Sequence, residues 1–248
     1  MGKLLSFLDH TGGIFLLFLE SLKTLFTDRP KIKHIVKYMD EIGVGAAPLI
    51  AITGFFTGGV LVVETYPTLH KFNAEYLAGA LVSVSLAREL SPVLVSLLVT
   101  ARSGSAIAAN IGTMRITEQI DALEVLAVNP IRYLITPRLI AGLVMVPLLT
   151  VLSYASGLLG GYFVGVYLYD INPYLFVEKM KAFTELKDIY GGLYKASVFA
   201  ILIIIISSYF GYTARGGAEG VGKATTTAVV VSSVMVLIVD YFLTELIF

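Results

Sequence analysis

Five times along its 248 residues the chain runs for about twenty residues or more with few charges, at about 44–63, 76–100, 138–167, 191–212 and 225–246. A run of that length is what the hydrocarbon core of a bilayer demands of a helix. Inside lipid every backbone N–H and C=O must find its partner within the protein, so a chain of long apolar runs has one solution, a bundle of helices. A mean hydropathy of +0.83 with only 15% charged residues lies outside the soluble globular range. The expected fold is therefore an all-α membrane protein with five transmembrane helices.

Residues 1–43 form a separate N-terminal unit of interfacial helices, and residues 44–248 the five-span domain. From Ile14 to Phe26 the apolar Phe15, Phe18, Leu19, Leu22, Leu25 and Phe26 recur at helical spacing against Glu20, Lys23, Thr24 and Thr27. Ile32, Ile35, Val36 and Met39 oppose Lys31, Lys33, His34 and Lys37 in a second, basic amphipathic helix suited to anionic headgroups or to packing on the spans. Lys3 stands near the start, but Asp9, His10 and Glu20 interrupt the apolar residues that follow, and a cleaved signal peptide is not expected.

Five spans put the two termini on opposite sides, and Lys/Arg placement says which is which. Lys3, Lys23, Arg29, Lys31, Lys33, Lys37, Arg102, Arg115, Arg132, Arg138, Arg215 and Lys223 fall on one side, against Lys71, Lys179, Lys181 and Lys187 on the other. The N-terminus and the long charged stretch at about 102–138 are thus expected in the cytoplasm. Within that stretch Ile116, Ile120, Leu123 and Ala127 predict one face of a helix whose other sides carry Arg115, Glu118, Asp121 and Glu124, ended by Asn129-Pro130. A surface helix between two spans is the form a docking element takes. Thr136-Pro137 predicts the cap of the third span, and Asn172-Pro173 a further helix start. Gly54-x-x-x-Gly58 in the first span and the stripe Gly157, Gly161, Gly165 in the third predict close helix contacts.

Arg88 and Glu89 lie about a dozen residues into the second span, where an ionised group costs about 2.5–3.5 kcal/mol on translocon scales. Adjacent residues on a helix point about 100° apart and cannot simply neutralise each other. Either they face a wet cavity or a bound headgroup, or they pair with other helices, with Asp240 of the last span as a partner for Arg88. Ser91-Pro92 frees a backbone carbonyl beside them and predicts a kink.

Gly217-Ala218-Glu219-Gly220-Val221-Gly222-Lys223-Ala224 approaches the phosphate-binding pattern G-x-x-x-x-G-K-[ST] but has Ala224 where the magnesium-binding hydroxyl belongs, and it connects two spans instead of following a strand. Nucleotide binding by this chain is not expected. There is no Cys, and His10, His34 and His70 show no metal-ligand spacing, so no metal site is expected. No nucleophile, base and orienting group fall in a catalytic frame. With 18 basic and 18 acidic residues and no basic patch, no nucleic-acid partner is expected.

Ser85-Leu86-Ala87-Arg88-Glu89-Leu90-Ser91-Pro92-Val93, Ala101-Arg102-Ser103-Gly104-Ser105-Ala106, Gly112 through Glu124, Pro137-Arg138 and Gly217 through Gly222 followed by Ala224-Thr225-Thr226 resemble, in the same order, the MlaE/YrbE permeases. The resemblance covers roughly Gly43 to Phe248. It implies a multi-pass protein of the bacterial inner membrane with its C-terminus in the periplasm. It further implies a non-catalytic permease subunit of an ABC transporter, a homodimer bound to two cytoplasmic ATPase subunits that hold the ATP and magnesium, and to a periplasmic MCE-domain protein, moving phospholipid between the inner membrane and the outer envelope. Carried onto matching positions, Arg88 would meet the lipid headgroup with Glu89 and Leu90 beside it, and Leu61, Leu69 and Phe72 would contribute to an apolar wall. Arg115, Glu118, Asp121 and Glu124 would lie on the helix docking into the ATPase. The alternatives from the residues alone are an ion-coupled secondary transporter using Glu89 or Asp240, and a noncatalytic membrane scaffold.

Overall fold

The computed structural model describes residues 2–27 and 32–248, with side chains from residue 10 to 24 and from 32 onward. Lys3, Asp9, Leu25, Phe26, Thr27, Arg29 and Lys31, used above for amphipathicity, sidedness and the signal-peptide reading, lie outside the described side chains. No strand occurs among the described residues, and five helical runs are long and apolar enough to cross a membrane: Ile32–His70, Glu75–Ile116, Ile131–Leu168, Leu186–Tyr212 and Gly217–Ile247. They are called the first to fifth spans below.

α1 (Gly2–Thr27) precedes the bundle, and α2 (Ile32–Ile42) opens the first span. A single tight turn, Val44–Ala46, joins α2 to Ala47–His70, so the second amphipathic helix and the first apolar run form one continuous helical run. The second span likewise continues past its expected end at Thr100 to Ile116, burying Ile107, Ala108 and Ile111. The third begins at Ile131 instead of Arg138. Its cap is Asn129, whose Oδ1 accepts from the N–H of Ile131 (2.9 Å) and Arg132 (3.2 Å). Asn129-Pro130 therefore opens a helix where it was expected to close one, and Thr136 lies inside it. Asn172 does cap the helix Pro173–Phe183, accepting from Tyr174 and Leu175.

Pro92 after Ser91 and Pro137 after Thr136 share one device. Pro92 has no N–H for the carbonyl four residues back, and the turn before it, Leu86–Leu90, widens so that Ser91 N–H bonds Leu86 C=O, five residues away. Pro137 follows the same π turn at Ile131–Ile135, with Thr136 N–H on Ile131 C=O. Such turns rotate the side chains they contain out of α-helical phase.

Between helices in lipid, packing of small residues replaces the hydrophobic drive. The first span's Gly-x-x-x-Gly meets the third span's glycines in the same chain: a Cβ on Gly58 would come within 1.8 Å of the Gly157 carbonyl oxygen, and one on Gly160 equally close to that of Phe55. The fourth span is the most enclosed, burying Phe199, Ile203 and Ile204 against its neighbours. The fifth leaves Val230, Val234, Ile238, Tyr241 and Phe242 exposed.

Candidate functional site

The π turn at Leu86–Leu90 sends Arg88 and Glu89 to different partners. Arg88 Nε donates to Asp188 Oδ1 of the fourth span at 2.8 Å. Asp188 is buried at the N-terminus of that helix, where its other oxygen accepts the Glu185 N–H at 2.9 Å, one half of a reciprocal capping box. One carboxylate thus caps a span and grips an arginine. The grip uses Nε alone: the Arg88 side chain stays 40% exposed, and among the described residues its terminal nitrogens meet no acceptor. The Phe248 ring lies 4.7 Å from the guanidinium carbon, a distance at which the ring face attracts the cation.

Glu89 turns to the interior. Its Oε2 accepts from Lys195 Nζ at 2.7 Å, and that ammonium, with no exposed surface, also donates to Thr244 Oγ1 at 2.6 Å and lies 3.0 Å from Asp240 Oδ1. The expected partnership of Arg88 with Asp240 is therefore corrected: Asp240 of the fifth span belongs to Lys195, and Arg88 to Asp188. Lys195 and Asp188 were missed in the sequence reading. The signal for Lys195 was present, a lysine four residues into the fourth apolar run. For Asp188, just outside that run, there was none. Together three spans bring two cations and three carboxylates into neighbouring ion pairs, and the Lys187 ammonium lies 5.8 Å from the Phe248 ring centre.

Of the expected apolar wall, Leu61 and Leu69 are half-buried against one small cluster around Val62, Val82, Leu86 and Phe176, and Leu90, expected beside Arg88, packs on the same cluster. Phe72 stands apart, 75% exposed in the turn after the first span.

At the other end of the second span the long charged stretch is not one helix. Ile116 ends the second span, Glu118 takes a left-handed conformation (φ 58°), and a separate short helix, Gln119–Val125, follows before Ala127 turns left-handed again (φ 56°). Ile116 and Ala127 therefore do not share its face. Ile120 is fully buried and anchors it. Arg115 bridges the break to Asp121 (2.5 Å), and Tyr212 OH donates to Glu124 (3.2 Å). The Gly-rich segment is likewise helical from Gly217 onward, with Lys223 paired to Glu219 one turn away, so its residues form the opening turns of the fifth span and not a phosphate-cradling loop.

The family described as Permease MlaE matches residues 35–246. A probable ABC transporter permease protein of Rickettsia typhi is 42% identical over 237 residues, 95% of this chain and 92% of that protein. A similarly named protein of Synechocystis is 40% identical over 238 residues, 96% and 88% of the two chains. The intermembrane phospholipid transport system permease protein MlaE of Haemophilus influenzae is 40% identical over 225 residues, 89% and 86%.

Proposed function

The chain belongs to the MlaE permease family, and from that premise we propose that it is the membrane subunit of an ABC transporter that carries phospholipid between the inner membrane and the outer envelope. Two copies assemble with two cytoplasmic ATPase subunits and a periplasmic MCE-domain protein. ATP and magnesium belong to the ATPase, and this chain supplies the path.

One observation carries the reading: a guanidinium at span depth, held by Nε and still open. With Asp188 on Nε, the two terminal nitrogens of Arg88 meet no acceptor among the described residues, and a guanidinium end can take a phosphate with two parallel hydrogen bonds. A second copy covering the exposed apolar side chains of the fifth span would turn that open face into a shared hollow. Leu61, Leu69 and Leu90 then offer apolar surface for acyl chains, and Phe72 stands at the outer end.

The test is ATP-dependent lipid movement between proteoliposomes containing the chain, its ATPase and its MCE partner. Arg88→Ala, Glu89→Ala together should lower the rate at least tenfold with the complex intact. An unchanged rate would remove the headgroup site. Ion-coupled transport draws support from Asp240 and Glu89 in one cluster, but both are engaged by a buried ammonium. It requires solute uptake by the chain alone under a proton gradient.

A further inference from the structure

A groove of about 660 Å³ runs between α1 and the segment that joins the second and third spans, closed at its back by the cytoplasmic end of the fourth span. Its floor is apolar, with Leu16 and Leu17 from α1, Val128 from the joining segment and Tyr209 from the fourth span. Two carboxylates line it, Glu20 on α1 and Glu124 on the short helix. α1 is pinned by His10 Nδ1 to Tyr209 OH (3.0 Å) and by the Thr24 and Thr136 hydroxyls (2.7 Å), so the groove exists before anything enters it.

Neither carboxylate forms an ion pair among the described residues. Glu124 accepts only from the Tyr212 hydroxyl and Glu20 only a long contact from Asn129 Nδ2 at 3.5 Å, while Arg115 is engaged by Asp121. Two like charges over an apolar floor repel phosphate and favour a cation with an apolar stem. The rim continues into Val125 and Leu126, 87% and 71% exposed.

We propose that this groove receives a basic side chain flanked by apolar residues from the cytoplasmic ATPase subunit, so that α1 and the short helix are two jaws of one docking site. The inference rests on the permease reading above and adds to it a role for α1, which amphipathicity alone assigns to the membrane surface.

The experiment co-expresses the full chain with its ATPase, purifies through the chain in mild detergent and measures ATPase retained per permease. Glu20→Lys with Glu124→Lys should lower retention about tenfold or more, with Asp40→Lys, an exposed carboxylate on α2 outside the groove, at the unaltered level. The chain has no cysteine, so Leu16→Cys, in otherwise unaltered protein, provides a single attachment point for a thiol-to-amine cross-linker, and the adduct should contain the ATPase. Undiminished retention by the double variant, or an adduct containing only a second permease, overturns the groove assignment alone. Failure of the unaltered chain to retain any ATPase overturns the permease reading and this inference with it.

Discussion

Lys195 has no exposed surface and meets Glu89, Asp240 and Thr244 at once. Removing one partner of a buried ionic set leaves the remainder uncompensated, at about 3–5 kcal/mol. Glu89 keeps about a third of its side-chain surface and Asp240 about a fifth, so solvent relieves part of that penalty. Lys195→Ala is expected to destabilise by about 3 kcal/mol, the lower end of the range, seen as a fall in apparent unfolding temperature in detergent. Lys195→Ala combined with Glu89→Gln and Asp240→Asn should recover much of the loss; no recovery would show that the ammonium acts through packing and not through its charge.

At the scale of elements, contact between the first and third spans depends on backbone touching backbone. Gly58→Val would drive a side chain into the Gly157 carbonyl, which cannot move as a flexible side chain would. The expected result is loss of folded protein after detergent extraction. Gly12→Ala in α1 meets nothing within 4 Å and should be neutral or stabilising by up to about 1 kcal/mol. Equal recovery of folded Gly58→Val would refute the close contact. Both glycine sets were legible as packing motifs in the sequence, but their mutual pairing was not, because a small-residue motif says how near a helix can come and not which helix comes. The boundary at Glu118 eluded periodicity for a related reason. Apolar spacing continues through the break that this one left-handed residue makes.

At the scale of the whole molecule, the charge bias predicts that the Gly-rich opening turns of the fifth span and the helix Pro173–Phe183 face opposite compartments. Single cysteines at Glu219 and at Lys179, introduced into a chain that has none, should be labelled by an impermeant maleimide from opposite sides: Lys179→Cys in intact spheroplasts, Glu219→Cys only after the membrane is opened. Labelling of both from outside would overturn the assigned orientation.

Composition and the lengths of the apolar runs determined that this chain is a multi-pass helical membrane protein with five runs long enough to cross a bilayer, because in water-free surroundings a helix of that length satisfies its backbone within itself. The same reasoning marked Arg88 and Glu89 as exceptional, since charge at that depth is rare whatever surrounds it. Which carboxylate holds Arg88, that Lys195 joins the set, and that α1 and the short helix frame a groove were decided only by tertiary structure. Those partners lie a hundred or more residues apart along the chain, and spacing within one helix carries no information about which face of another it will meet.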